Sequence, residues 1–384
     1  MKESTKFYEN LYGDNNEAST QEKAERDPAE RISPRGKEPF PPILKYEIER
    51  TLEKLKTGKA PGPDGVENKI LKMFRETMAE PMTLLFNRIL EEQEVPEQWR
   101  VAEIILLHKK GDKYQLDNYR PISLSSNTCK IFTKILKNRV YPQLEEAQPV
   151  EQAGFRRGFS TSDHIHTLNQ LLEKARTYQI ELHLVFVDFC KAFDTVNHKF
   201  LWKTLREQGI NEKVVGILER MYEGAQAYVK MDRIGLEFHL HSGVKQGDPL
   251  SPNLFNAVLE RVFRGLDLEG KGIKIHGEWL NHLRFADDVV LISGNSEELQ
   301  SMLDGLVSES EKAGLRINIS KTKYMSNTQG GRIQVGGDEI EKQEDYTYLG
   351  QIISFEEKMG KEIRKRISQA WKGFWALKNI FKGG

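Results

Sequence analysis

Apolar and polar positions follow two periods along this chain. Ile48, Leu52 and Leu55 recur at helical spacing and stop at Gly58. Residues 68–92 keep a mostly helical pattern. Val101 to Lys110, VAEIILLHKK, reads instead as a strand running into a basic turn, and Asn118 to Leu124 as a second strand or loop. Glu181 to Cys190 is nearly continuous apolar, as in a strand covered on both faces, and Asp188 interrupts it. Beyond it, Asp194 or Thr195 can cap a helix carrying Val196, Phe200, Leu201 and Leu205. Ser242 to Pro252 reads as a loop that ends with Ser251 as N-cap and Pro252 at the first helical position. Leu254, Phe255, Val258, Leu259, Val262 and Phe263 then form one helix face. Arg284 to Ile292, RFADDVVLI, is strand material broken by two adjacent acids. Asn295 with Glu298 predicts a capped helix ending near Gly314, and Leu315, Ile317 and Ile319 alternate as a strand. Mixed elements with short connections predict an α+β fold.

Residues 13–40 are polar and poor in apolar side chains, so residues 1–40 are expected to be a disordered linker. A length of 384 residues suggests two or three domains. Formal net charge is +0, so global charge does not point to a polyanionic partner. Local charge differs: Arg100 to Arg139 holds nine basic residues against three acidic ones. A solvated face and a polyanion site compete as readings of that run. The two cysteines, Cys129 and Cys190, give neither a disulfide framework nor zinc spacing, which suits a reducing compartment. No apolar run approaches the roughly 20 residues of a membrane span, and the N-terminus lacks the apolar core of a signal peptide. The expectation is an intracellular protein of nucleus or cytoplasm, neither secreted nor membrane-bound. Lys59 to Gly65, KAPGPDG, is glycine-rich, but no Gly-Lys-Ser/Thr opens a helix there, which excludes a Walker loop.

The acids carry the chemistry. Asp287-Asp288 alone fits a two-residue hairpin turn, and Asp188 alone fits a strand-end cap. If the two strands are neighbours, their carboxylates converge. Clustered carboxylates raise each other's pKa, and a bound divalent cation relieves this. Oxygen donors without His or Cys point to Mg²⁺ or Mn²⁺. Two such ions are the apparatus of in-line phosphoryl transfer, for which the basic residues near Lys109, Lys110 and Arg120 could neutralise charge.

At this point an ordered series of motifs resembles the reverse transcriptase domain of non-LTR (LINE-like) retrotransposons. The series is GKAPGPDG, NYRPISL, QAGFRRGFSTSDHI, FVDFCKAFDTVNH, GVKQGDPLSP, FADDVVL, GLRINISKTK and YLG, spanning about residues 41 to 355. The resemblance implies a right-hand polymerase, with fingers over 41–180, a palm with an antiparallel sheet over 181–355 to which the 242–265 loop and helix contribute, and a truncated thumb starting at 356–384. It implies an RNA-directed DNA polymerase with two Mg²⁺ or Mn²⁺ ions, extending a DNA primer 3′-hydroxyl from dNTP on an RNA template. Asp188, Asp287 and Asp288 match the metal-binding aspartates, Asp287 as the more direct ligand of the pair, and the Phe189 carbonyl joins them. Phe193 matches the residue under the incoming sugar that rejects a 2′-hydroxyl; position alone does not separate this from a core aromatic. Gln246 and Gly247 match the loop near the nascent pair. Arg120, with Lys109 or Lys110, resembles the triphosphate grip. Lys321 is similar to the lysine that protonates pyrophosphate, a role that competes with a solvated surface lysine. Tyr348, Leu349 and Gly350 look like the primer grip, and Arg156 and Arg157 like template contacts. After YLG a basic stretch, Lys361 to Lys382, interleaves Trp371, Phe374 and Trp375 and suits a first thumb helix. The competing expectation is a truncated, inactive nucleic-acid-binding fragment of such an element.

Overall fold

The computed structural model describes residues 2–13, 36, 38–109, 111–329, 331–356 and 359–378. In chain order its helices are α1 (Lys2–Tyr12), α2 (Lys45–Glu53), α3 (Asn68–Met73), α4 (Arg75–Glu92), α5 (Asn127–Glu146), α6 (Thr161–Tyr178), α7 (Ala192–Thr195), α8 (His198–Glu207), α9 (Glu212–Tyr222), α10 (Ser251–Arg264), α11 (Ser296–Lys312) and α12 (Met359–Ala376). The strands are β1 (Val101–His108), β2 (Tyr119–Leu124), β3 (His183–Val187), β4 (Gln226–Lys230), β5 (Phe238–His239), β6 (Ile273–Ile275), β7 (Glu278–Leu280), β8 (His282–Phe285), β9 (Asp288–Ser293), β10 (Lys323–Ser326), β11 (Gln334–Val335), β12 (Asp338–Glu339), β13 (Asp345–Tyr348) and β14 (Gln351–Ser354). The class is α+β, as the pattern of periods predicts. The chain divides into two compact units. One holds Met1–Pro149, Lys191–Arg264 and Ser310–Leu315; the other holds Val150–Cys190, Gly265–Glu309 and Arg316–Gly384.

In the first unit a sheet runs in the order β2-β1-β4-β5. β1 pairs antiparallel with β2 and parallel with β4. Its Ala102 and Ile104 join Ala227, Val229 and Phe238 in one core, and Tyr8 and Tyr12 of α1 close that core. Residues 2–12 are therefore a packed helix, which corrects the expectation of a linker from residue 1. Phe7, Tyr8, Leu11 and Tyr12 make an apolar face at helical spacing, with Tyr8 and Tyr12 buried in that core and Phe7 and Leu11 packed partly against it. Residues 14–35 of that expected linker lie outside the described residues. A second correction concerns the helix after Phe193. Asn197 caps α8, its side chain accepting from the Phe200 N–H, while Asp194 lies inside the short α7 and is 1% exposed.

In the second unit the sheet runs β10-β3-β9-β8, every pair antiparallel. All of β3 is buried, as its continuous apolar run demands. Leu184, Phe186, Val290 and Ile292 pack with Leu168, Leu172 and Ile353. The strand expected over Leu315 to Ile319 is replaced by a single bridge between Phe189 and Ile317; the ladder strand is β10, eight residues later than Leu315. The cause is a turn, since the Lys321 and Thr322 N–H groups both donate to the Asn318 carbonyl. Among the described residues, no helix is long and apolar enough to cross a membrane.

Candidate active site

The β8–β9 hairpin and the end of β3 bring acids of the second unit to one end of its two central strands. Phe285 pairs with Asp288, which leaves Ala286-Asp287 as a two-residue turn. Asp288 is thus the first residue of β9 and Asp287 sits in the turn. Val187 pairs with Val289, so the register continued by one residue sets Asp188 opposite Asp288. Opposed residues of an antiparallel pair share a face. Tyr346, stacked on Phe186 at 4.3 Å, reports this electrostatically: burial first, then the charges of Asp188 and Asp288, push its hydroxyl up to about 12. Burial and the Asp288 charge also raise Tyr348. Lys321 Nζ lies 3.8 Å from Asp188 Oδ2, and the Asp188 carbonyl accepts from the Asn318 N–H at 2.7 Å. Phe189 is buried and bridges Ile317.

The turn is held from outside by residues 151–154. Ala286 adopts φ 58°, a left-handed conformation that costs a non-glycine residue about 1 kcal/mol or more. Gln152, completely buried, accepts with Oε1 from the Ala286 N–H at 3.0 Å and from the Gly154 N–H at 2.8 Å. The backbones zip together as well: Arg284 N–H donates to the Glu151 carbonyl and Ala153 N–H to the Arg284 carbonyl. Gly154 approaches so closely that a Cβ there would lie 2.2 Å from the Ala286 nitrogen. In the sequence Gln152 and Gly154 stand only as members of QAGFRRGFSTSDHI, and nothing local ties them to Asp287.

The expected nucleotide-side residues lie in the first unit. Phe193 is half-buried and stacks on Phe255 at 4.5 Å. The 242–248 loop is laced to α7 and to β2: Val244 N–H donates to the Phe193 carbonyl, and Ser123 N–H donates to the Gln246 carbonyl. Gly247 takes φ 115°, and a Cβ on it would sit 2.9 Å from the Ser123 carbonyl oxygen, so the loop can lie this close only with glycine there. Gln246 Nε2 donates to both Asp194 oxygens at 2.9 Å, and Tyr12 Oη donates to Asp194 Oδ1 at 2.8 Å. Burial pushes the Asp194 carboxyl up to about 6, opposed by the Tyr12 and Gln246 hydrogen bonds and by Lys191 and Lys109. Lys109 and Arg120 are both exposed at one end of the β1–β2 ladder, where Lys109 N–H donates to the Asn118 carbonyl and Leu107 pairs with Arg120. Lys110 lies outside the described residues.

The basic run from Arg100 to Arg139 is not one surface. Arg139 pairs with Glu47 at 2.6 Å, Arg100 donates to the Arg220 carbonyl, and burial lowers the pKa of Lys130 and Lys134. Elsewhere, in the second unit, Arg156 is engaged structurally: it donates to the Gln152 carbonyl at 2.7 Å and lies over the Phe159 ring. Arg157 is exposed. Tyr348 is buried in the core, with its hydroxyl 3.4 Å from His164 Nδ1, and Leu349-Gly350 form the β13–β14 turn.

Among the described residues, no three His, Cys, Asp or Glu side chains form a group able to hold a metal ion unaided. The acids still suit a hard divalent cation. They are oxygen donors, and two of them concentrate negative charge on Tyr346. Mg²⁺ commonly uses one or two carboxylates and completes its shell with water and substrate phosphate.

Residues 107–353 match the family described as Reverse transcriptase (RNA-dependent DNA polymerase). The chain is 28% identical over 284 residues to the transposon TX1 uncharacterized 149 kDa protein of Xenopus laevis, covering 73% of this chain and 22% of that protein. It is 31% identical over 263 residues to the Pol polyprotein of the type-2 retrotransposable element R2DM of Drosophila melanogaster, 68% of this chain and 24% of that one. It is 26% identical over 330 residues to the RNA-directed DNA polymerase from mobile element jockey of Drosophila funebris, 82% of this chain and 35% of that one. The chain thus spans about a quarter to a third of these curated relatives. A solved apo telomerase from Candida Tropicalis, truncated from its C-terminal domain, aligns at 17% identity and a TM-score of 0.47, over 75% of this chain and 59% of that one.

Proposed function

Because this chain belongs to the reverse transcriptase (RNA-dependent DNA polymerase) family, we propose that it is the core of an RNA-directed DNA polymerase of a non-LTR retrotransposon. The observation that supports the reading is the set of acids at one end of the second unit's central strands, Asp188 just beyond β3, Asp288 opening β9 and Asp287 in the adjoining turn.

In this reading Asp188, Asp287, Asp288 and the Phe189 carbonyl hold two Mg²⁺ or Mn²⁺ ions, and it is the resemblance, not the register, that makes Asp287 the more direct ligand of the adjacent pair. When bound, the ions supply charge neutralisation at the transferring phosphoryl group and activation of the attacking hydroxyl. The protein's own residues do the rest by position. Asp188 accepts a hydrogen bond from the turn at Asn318, which orients the strand end that carries its carboxylate. Lys321, 3.8 Å from Asp188, gives a proton to departing pyrophosphate in this reading. Arg120 and Lys109 grip the triphosphate, with Lys110 as a further candidate. Phe193 sits under the sugar, and Gln246 and Gly247 face the nascent pair. Tyr348, Leu349 and Gly350 meet the primer and Arg157 the template. Arg156 acts on the template only indirectly, since its guanidinium is already engaged. The proposed partners are an RNA template, a DNA primer and dNTP, with α12 as the start of a thumb.

Primer extension on an RNA template with Mg²⁺ tests the proposal. Incorporation is expected, and Asp188→Ala and Asp287→Ala each reduce it by roughly a thousandfold or more while RNA binding persists. RNA binding without incorporation by the unaltered chain would overturn the enzyme reading in favour of a binding fragment. Intact synthesis by Asp287→Ala would overturn the metal assignment.

A further inference from the structure

Asp194 is a buried carboxylate with no part in the chemistry above, and its three hydrogen bonds join distant parts of the sequence. It lies within α7, one residue beyond Phe193, and is 1% exposed. Its donors are Tyr12, 182 residues away on α1, and Gln246, 52 residues away in the glycine loop. Burying a carboxylate is unfavourable unless hydrogen bonds satisfy it. Here one hydroxyl and one amide nitrogen do so, and the amide nitrogen is within 2.9 Å of both oxygens. Lys191 and Lys109 add favourable charge.

We propose that Asp194 is a positioning residue that fixes the side-chain amide of Gln246, with Tyr12 of α1 as its support. The physical reason is the asymmetry of the glutamine amide. Its oxygen and nitrogen are nearly equal in size, so shape alone does not decide which end faces inward. An ionised carboxylate only accepts hydrogen bonds. It therefore selects the rotamer with Nε2 inward and presents Oε1, an acceptor, outward. The loop backbone is set independently by the Ser123 and Val244 bonds, so the carboxylate acts on the side-chain orientation alone. The N-terminal helix enters the argument through Tyr12, which stacks on Phe238 at 6.2 Å and is held by the sheet core. The inference rests on the reading that Gln246 faces the incoming nucleotide.

The test combines selective labelling of glutamine amides with primer extension by the full chain. The Gln246 side-chain resonances are assigned by their loss in Gln246→Leu. Asp194→Asn is expected to move them strongly and Tyr12→Phe less so. The dNTP concentration giving half-maximal extension should rise roughly tenfold in Asp194→Asn, the size of one charge-assisted hydrogen bond. Half-saturation by Mg²⁺ should stay unchanged. Adding Gln246→Glu to Asp194→Asn reverses donor and acceptor, restores the contact and leaves an oxygen facing out, so most of the tenfold loss should return. Unmoved resonances in Asp194→Asn would overturn the proposal, as would a dNTP defect that Gln246→Glu does not relieve. If Gln246→Leu leaves dNTP half-saturation unchanged, it is the nucleotide-facing reading of Gln246 that fails, and the resonances alone decide whether Asp194 holds the amide.

Discussion

Phe193 and Asp194 are neighbours in sequence whose fates were unequally legible. Phe193 stands five residues after Asp188, and in the sequence a sugar gate and a core aromatic are equally open to it. In the fold it stacks on Phe255 yet remains half-buried, which suits a ring supported from the protein side. Phe193→Ala is expected to relax discrimination against ribonucleotides by roughly a hundredfold, read from single-nucleotide incorporation of matched ribo- and deoxyribonucleotides. An unchanged ratio would remove the role. Local offsets suit Asp194 or Thr195 to a helix cap, because capping depends on near neighbours in sequence. The burial of Asp194 is set by Tyr12 and Gln246, and local offsets carry no trace of either.

At the scale of elements, the β8–β9 hairpin was visible from the chain itself. Two acids cannot both face away from the core in one regular strand, so RFADDVVLI had to turn there. The sequence did not show what keeps the turn in place. Gln152 and the close approach of Gly154 act on Ala286, the residue before Asp287. Gly154→Ala puts a Cβ against backbone that has no room for it, so the hairpin must shift. The expected cost is about 1–3 kcal/mol of stability, seen as a lower melting temperature, together with slower incorporation than the stability loss explains at the assay temperature. A melting temperature and rate equal to those of the unaltered chain would show that the hairpin does not depend on this approach. The strand predicted over Leu315 to Ile319 failed for a related reason. Alternation was present, but the Asn318 turn diverted the backbone and the ladder formed at Lys323–Ser326.

For the whole molecule, charge is the property that sequence totals conceal. Formal net charge is +0, yet Lys109 and Arg120 are both exposed at one end of the β1–β2 ladder, while Arg139 is occupied by Glu47. Lys109→Glu and Arg120→Glu should each raise the dNTP concentration giving half-maximal extension by roughly tenfold or more, measured by primer extension across a dNTP series. Arg139→Gln should leave that concentration unchanged and lower stability instead. A dNTP requirement untouched by Lys109→Glu and Arg120→Glu would separate this end of the ladder from the triphosphate. The sequence by itself determined the α+β class, the strands β1, β3 and β9, the family resemblance and the setting of Asp188 at a strand end and Asp287 in a hairpin turn, because periodicity and ordered motifs are local properties that survive without coordinates. Tertiary structure alone decided that residues 2–12 fold as a helix, that the strand ends carrying Asp188 and Asp288 are neighbours, that Arg156 and Arg139 are already engaged, and that Asp194 is buried and hydrogen-bonded to Tyr12 and Gln246. Each of these depends on which distant segment excludes water from a polar group or satisfies it, and that pairing is fixed only when the chain has packed.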